Sequence, residues 1–483
     1  MKDINCDYLI IGSGAGGSTV ADVLLNSGHS VLMLEEGNNF SGKHIMPATE
    51  NMTGMWRSTG LTPAFGNPSI TYAEGRCVGG GTEINSGILQ RPPEGILDYW
   101  ATIDNKNKDF YSKNINEYFD WIESTLSANI IDTSLDRHSQ VLKEAAINQD
   151  WKFEALPRAI KDCICKEPLC ICGGRQSMTS TLLKKAKANK NFKLESNIRV
   201  KKLVLKNEHI KEAIAEKVLS EGQIEKYKIL PNHIFLSAGT INSPYLLMKS
   251  GINFTGLGRF QLHPTLKLLT HFNEKINAVT QPLPNYAVTE FMPDVRFGGS
   301  VTSPGVLGMS LGENWSSRSY LKDQLDYLTS YYVMIRPNSW GKIRSFKFFD
   351  DPFVSYKLDK CDINKITTGT INLSKALFDL GALKIHPSIK RHSGWDSIES
   401  VKSQVLDVNF RKNLNLMSIH LFGSCSPMNN SSYLIGNGKI SGIRNLVLAD
   451  GSCLPSAPGV NPQASIMALS RHNAIKYCEV HTK

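Results

Sequence analysis

The stretch Asp7-Tyr-Leu-Ile-Ile-Gly-Ser-Gly-Ala-Gly-Gly-Ser18 decides the fold. Tyr8 to Ile11 is an apolar run of the kind that forms a buried parallel strand, and Gly12, Gly14 and Gly17 follow it as G-x-G-x-x-G. The pattern predicts a helix from about Ala15 to Ser27 and a second strand from Ser30 to Glu35. The three glycines serve different ends. Gly12 permits the tight turn, Gly14 lets backbone approach a pyrophosphate, and Gly17 lets helix pack closely on strand. The helix amino terminus then offers N–H groups and a partial positive charge to the phosphates. Glu35, ending the second strand, is placed to accept hydrogen bonds from a ribose; Glu36 beside it is the competing acid. The pattern is that of a dinucleotide-binding unit, and by itself it does not separate FAD from NAD.

Working outward, 483 residues exceed the usual size of one hydrophobic core, so two or three structural units are expected. Apolar content of 41 % and charged content of 20 % argue against disorder. The net charge of +10 comes from lysines scattered among polar residues, which reads as solvated surface and not as a nucleic-acid partner. The opening residues Met1 to Asp7 are short and polar, and no apolar run approaches the length of a membrane span, so a cytoplasmic protein is expected. Cysteines in a reducing compartment seldom pair. Four of the ten, Cys163, Cys165, Cys170 and Cys172, cluster in one Pro/Gly-bounded loop and are the candidate metal ligands; Cys6, Cys77, Cys361, Cys425, Cys453 and Cys478 read as isolated small apolar residues.

Further segments turn the dinucleotide into a particular one. Gly75-Arg-Cys-Val-Gly-Gly-Gly-Thr-Glu-Ile-Asn85 is a glycine-rich loop that can lie against a flat ring or a phosphate. Gly239-Thr-Ile-Asn-Ser-Pro-Tyr-Leu-Leu-Met-Lys-Ser-Gly-Ile252 follows a strand expected over His233 to Ala238, with Ser243 and Pro244 expected to start a helix. Gly256-Leu-Gly-Arg-Phe-Gln-Leu-His-Pro264 comes next. Near the carboxyl end, Leu446-Val-Leu-Ala-Asp-Gly-Ser452 reads as a strand ending at Asp450. Pro458-Gly-Val-Asn-Pro-Gln-Ala-Ser-Ile-Met-Ala-Leu469 then opens a helix near Asn461-Pro462, with asparagine as its cap.

In composition and order these segments resemble the glucose–methanol–choline flavin oxidoreductases. The resemblance implies FAD as cofactor, touched by Gly79, Gly80, Thr82 and Asn85 in the glycine-rich loop and by backbone of Val200 at the adenine. It also implies that Asp450 and Gly451 meet the pyrophosphate–ribityl region and that backbone of Pro462 and Gln463 meets the pyrimidine edge. The helix amino terminus there would stabilise the anion formed when hydride reaches the ring. Some relatives bind flavin covalently through a histidine in the glycine-rich loop; residues 75–85 hold none, so a dissociable FAD is expected.

Oxidising an alcohol by hydride transfer requires the hydroxyl proton to leave as well, and a neutral imidazole suits that work. His420, in Met417-Ser-Ile-His-Leu-Phe-Gly-Ser-Cys-Ser-Pro-Met428, matches the family's base, and Asn461 stands where relatives carry His or Asn. An amide orients a hydroxyl without titrating. His263 reads as structural. The implied activity is oxidation of a CH–OH group on a small alcohol, sugar or sterol-like substrate by proton abstraction and hydride transfer to flavin N5. A flavin-containing lyase on the same scaffold, or an electron-relaying flavin/iron–sulfur subunit, are the alternatives. Two branches of the family carry something like the cysteine-rich loop: long-chain alcohol oxidases, ahead of a basic segment such as Arg175–Ser180, and sugar dehydrogenases, with an iron–sulfur cluster. The triple glycine followed by Thr82 and Asn85, then Arg91-Pro92, leans toward the first. The two-residue spacing of cysteine knuckles is absent from the loop, so an iron–sulfur cluster is the less favoured reading.

The expected fold is α/β, a Rossmann-type FAD-binding domain beside a substrate domain built on an antiparallel sheet (α+β). The flavin domain is assigned residues 1–98, 190–265 and 435–483, and the substrate domain 99–189 and 266–434. Short β-like runs such as Tyr331 to Ile335 suit a sheet roofing the flavin, with a helix over Ile363 to Leu380 behind it. Phe291, Trp315 and Trp340 are open between core and pocket.

Overall fold

The opening strand, Lys2–Ile11, is polar at its start and buried over Tyr8–Ile11, because only its second half lies between layers of helix. In the computed structural model, which describes residues 1–41, 48–163, 173–219, 222–281, 283–426 and 434–481, this strand is central to a seven-stranded sheet. Phe192–Glu195, Val31–Leu34, Lys2–Ile11 and Ile224–Leu236 run parallel in that order, and Leu446–Leu448 adds to the end of the last. His209–Val218 and Ile198–Lys206 extend the other half of Ile224–Leu236 as an antiparallel ribbon. Tyr8–Ile11, Val31–Leu34, Ile234–Leu236 and Leu446–Leu448 are continuous buried apolar runs, as strand segments covered on both faces must be, whereas the edge strand Phe192–Glu195 is only partly buried. The Ala15–Asn26 helix and the C-terminal helix, Gln463–His481, pack on each other beside this sheet.

A second, nine-stranded sheet is mainly antiparallel, with Thr265–Phe272, Leu328–Ile335 and Val295–Gly299 at its middle. Tyr331–Ile335 therefore falls in a strand as expected, and the helix behind it runs Lys360–Asp379, with Gly369 letting it approach Val333 and Val295. Thr62–Ala64 and Ile70–Tyr72 join this sheet through Leu416–Ser418, so the chain's first hundred residues feed both sheets. The architecture is the expected α/β arrangement of a Rossmann-type unit beside an antiparallel sheet.

A small four-stranded sheet bridges the two, and it places the chemistry. In it Arg259–Leu262 pairs antiparallel with Leu421–Phe422, Leu262 opposite Leu421. Each strand is followed or preceded by a step into the large sheet: Leu262 leads through His263 to Thr265, and Ser418 leads through His420 to Leu421. The register thus sets His263 beside His420, with the His263 N–H 3.4 Å from the His420 carbonyl.

Two local expectations need correction. The helix after the central strand begins at Gly239, not at Ser243-Pro244, and Pro244 lies inside it. An interior proline leaves the carbonyl four residues earlier without its partner. Here that carbonyl, of Thr240, accepts instead from the Ser424 hydroxyl at 2.5 Å. The second correction concerns the C-terminal helix, whose first turn closes from Ile466 N–H to the Pro462 carbonyl, so Pro462 and not Asn461 occupies the cap position. The Asn461 side chain turns to other partners.

Candidate active site

The dinucleotide end is a cleft of about 1040 Å³, counting its open mouth, between the first strand's turn, the glycine-rich loop and the Ile198–Lys206 strand. Gly12 turns with φ +99°, and a Cβ there would sit 2.2 Å from the Ser237 carbonyl oxygen. A Cβ on Gly17 would fall 2.0 Å from the Gly12 oxygen, so this glycine does allow close helix–strand packing. A Cβ on Gly14 would meet nothing of the chain nearer than 3.9 Å. Gly14 lines the cleft, as a position kept bare for a ligand would. No side chain caps the Ala15–Asn26 helix, and no acid stands in its first turn, so its positive end is open to an anion.

Glu35 and Val200 both border the cleft. The Glu35 carboxylate accepts from the Ser13 N–H at 3.0 Å, the Ser13 hydroxyl at 2.7 Å and the Gly37 N–H at 2.9 Å, while burial raises its pKa. Its oxygens are already oriented, and Oε1 keeps one lone pair for a ribose hydroxyl. Glu36 does something else. Burial opposes its ionisation, yet hydrogen bonds from Arg57 and the charges of Arg57, Arg199 and Arg76 hold it at about 2. Sequence reading missed Glu74, a buried carboxyl on the cleft wall pushed up to about 7 by burial. No motif marks it.

Gly79 and Gly80 stack on the first turn: the Gly79 N–H donates to the Ser13 hydroxyl at 3.0 Å, and a Cβ on Gly80 would meet Gly14 Cα at 2.9 Å. Thr82 is tied inward, donating to the Gly79 carbonyl at 2.7 Å and accepting from Met178 N–H at 3.1 Å. Asn85 donates to Gln463 Oε1 at 2.7 Å, clamping the glycine-rich loop to the start of the C-terminal helix next to Pro462. Asp450 accepts from the Gly239 N–H at 2.8 Å and from the Ser243 hydroxyl at 2.5 Å, and burial raises its pKa. It knits the last strand to the Gly239–Lys249 helix, while a Cβ on Gly451 would press on Thr240 Oγ1 at 2.8 Å.

The candidate catalytic pair lies outside the cleft's lining and is joined to it by this layer: the Thr240 hydroxyl donates to the carbonyl of Leu421, next to His420. His420 Nε2 is 3.2 Å from Asn461 Nδ2, and His420 Nδ1 is 3.1 Å from His263 Nδ1. On the other side of Asn461, its Oδ1 accepts from Arg296 Nη1 at 3.2 Å. Burial lowers the His420 pKa to about 3, the Arg296 charge adding to the effect, and burial puts His263 well below the ordinary imidazole range. Both rings are therefore neutral near pH 7, the state a proton acceptor needs. His263, read from sequence as structural, touches the candidate base His420 directly. The strand register that brings it there is a tertiary fact. Arg296, fully buried in a strand of the large sheet, carried no sequence signal.

Of the aromatic residues left open, Phe291 packs on Trp151 and Phe297 in the core, Trp315 is exposed, and Trp340 lies under the Arg259 guanidinium. Cys77, Cys425, Cys453 and Cys478 are buried thiols, whereas Cys6 is partly exposed and Cys361 is on the surface, departing from the apolar reading. Cys163 is partly exposed; Cys165, Cys170 and Cys172 lie outside the described residues, as does Met428. Among the described residues no group of three metal-ligating side chains occurs, and no helix is long and apolar enough to cross a membrane.

A GMC-type oxidoreductase of Sinorhizobium fredii, y4nJ, is 38 % identical over 476 residues, covering 97 % of this chain and 93 % of the relative. The long-chain-alcohol oxidase FAO4A of Arabidopsis thaliana is 24 % identical over 97 % of this chain and 68 % of its own. Among solved structures, pyridoxine 4-oxidase from Mesorbium loti superposes with a TM-score of 0.73 at 16 % identity, covering 98 % of this chain and 99 % of that one. A formate oxidase gives 0.71 at 15 % identity, covering 100 % and 99 %. Residues 6–265 and 350–470 match the two family models described as GMC oxidoreductase, and the chain belongs to that family.

Proposed function

We propose that this protein is an FAD-dependent oxidoreductase that converts a small-molecule alcohol to its carbonyl product, with His420 as base and Asn461 as the group that orients the hydroxyl. The observation that carries the reading is the facing pair, a neutral imidazole nitrogen 3.2 Å from an amide nitrogen beside the start of the C-terminal helix. The bare Gly14, the uncapped helix and the oriented Glu35 fit the phosphates and ribose of FAD. The Asn85–Gln463 clamp holds the loop and helix expected beside its ring. When bound, FAD supplies the acceptor for the hydride. The chain's residues do the rest: Asn461 would donate a hydrogen bond to the substrate oxygen and His420 Nε2 would take the hydroxyl proton as the hydride leaves the same carbon for the cofactor. The relatives' names, long-chain-alcohol oxidase and pyridoxine 4-oxidase, support an alcohol donor.

The test is anaerobic mixing of the purified yellow protein with a panel of primary alcohols, sugars and sterols. Bleaching of the flavin spectrum by at least one alcohol is expected. Turnover of a substrate with no bleaching would instead identify a lyase. The flavin is held without a covalent bond, so acid precipitation should release it into the supernatant; colour retained in the pellet would contradict this.

A further inference from the structure

Resting on His420 as the base, we infer that Arg296 is a positioning residue that selects the working tautomer of His420 by fixing the amide of Asn461. A row of polar groups runs from Arg296 through Asn461, His420 and His263 to the Gly459 N–H. Arg296 is 1 % exposed, and its Nη1 lies 3.2 Å from Asn461 Oδ1. Its Nε and Nη2 have no hydrogen-bond partner among the described residues, so the Asn461 oxygen is what this guanidinium engages. A guanidinium only donates, so Asn461 must turn its oxygen toward it. The amide NH₂ is then left facing His420 Nε2 at 3.2 Å, and an NH₂ only donates as well. His420 Nε2 must therefore carry a lone pair. In a neutral ring the proton is then on Nδ1, donated toward His263 Nδ1 at 3.1 Å.

The far end of the row makes this choice consequential. The Gly459 N–H lies 3.3 Å from His263 Nε2, and it too is a donor. Burial keeps both imidazoles neutral, with the charges of Arg296 and Arg336 acting in the same direction on His263. A row with a donor at each end and two neutral rings between cannot satisfy every contact. In one order the mismatch falls at His263 and Gly459, the longer contact, and His420 Nε2 is free to accept a proton. In the reverse order Gly459 donates to His263, His263 donates to His420, and His420 Nε2–H donates to a flipped Asn461. That order blocks the base. A charge-assisted bond outweighs a neutral one of similar length, so Arg296 holds the row in the first order. Without it, the reverse order satisfies every contact.

The experiment uses the flavin-loaded enzyme with ¹⁵N-labelled histidine. Long-range proton–nitrogen spectra report the tautomer, and the His420 signals are assigned by their loss in His420→Gln. Wild type and Arg296→Lys, which keeps charge and donor, should show the Nδ1–H form. Arg296→Met should show Nε2–H, and anaerobic flavin reduction by the substrate alcohol should slow about 100-fold with little change in KM. Finding Nε2–H in wild type, or Nδ1–H retained in Arg296→Met, would overturn the inference. Should Arg296→Met fail to fold, Asn461→Leu, which cuts the same link, should show Nε2–H, and Nδ1–H retained there would overturn the inference. His420→Gln reducing flavin at the wild-type rate would defeat the base assignment instead, and leaves the tautomer result standing.

Discussion

Among single residues, the site turns on groups whose hydrogen-bonding character is fixed by their partners. On the proposed reading Asn461→Ala removes both the donor to the substrate oxygen and the amide through which Arg296 acts on His420, so turnover should fall at least about 100-fold, no less than in Arg296→Met. Loss of bound flavin from that variant, seen by absorbance after gel filtration, would show that Asn461 serves the cofactor instead. His420 and Asn461 were legible in the sequence because they sit in motifs: Ser418 to Ser424 around one, Pro458 to Gln463 around the other. Arg296 and His263 were not. Their place comes from strand register in the large and small sheets, which sets side chains from distant segments into the row around His420. Local patterning carries no trace of such pairings.

Elements carry a different kind of constraint. The turn from the first strand into the Ala15–Asn26 helix works only if two backbones touch, and Gly17→Ala would drive a methyl to 2.0 Å from the Gly12 oxygen. The expected cost is about 1–3 kcal/mol, together with weaker FAD binding as the helix moves off the strand. Denaturant melts and flavin titration of the apoprotein check both; an unchanged midpoint and affinity would refute the packing role. Gly14→Ala meets no chain atom nearer than 3.9 Å, so it should leave stability nearly intact and weaken flavin binding alone. The glycine spacing told this story in advance because each glycine answers a short-range steric demand. The helix starts were less legible. Gly239 begins its helix four residues early because Ser424, remote in sequence, takes over the carbonyl that Pro244 leaves without a partner. Asn461 gives up its cap position because Arg296 and His420 compete for the same side chain.

Across the whole molecule, buried neutral imidazoles link stability to pH. Burial lowers His386 and His420 to about 3 and His472 to about 4, and takes His263 well below its ordinary range. In the unfolded chain these rings titrate near 6.5. Between about 4 and 6.5 the unfolded chain binds more protons, so these groups lower stability as pH falls through that window. Glu74, raised to about 7, acts oppositely, its contribution being lost as pH rises toward 7. His386 isolates the effect, since neither ring nitrogen has a partner among the described residues. His386→Leu should shrink whatever drop in Tm wild type shows between pH 7.5 and 5.5; an identical or larger drop would contradict the assignment. The two-sheet plan was legible because the G-x-G-x-x-G turn after Tyr8–Ile11 marks the parallel unit and short β-like runs such as Tyr331–Ile335 mark the second sheet. The interleaving of Thr62–Tyr72 into the second sheet was not, because it depends on pairing with Leu416–Ser418 far along the chain.

Proton removal by His420 is probed most closely by anaerobic stopped-flow reduction of the bound flavin with an alcohol substrate, in wild type and in His420→Gln. With equal flavin content in both proteins, reduction should be at least about 100-fold slower in the variant. Equal rates would contradict the assignment, and the proton acceptor would then have to be sought elsewhere in the molecule.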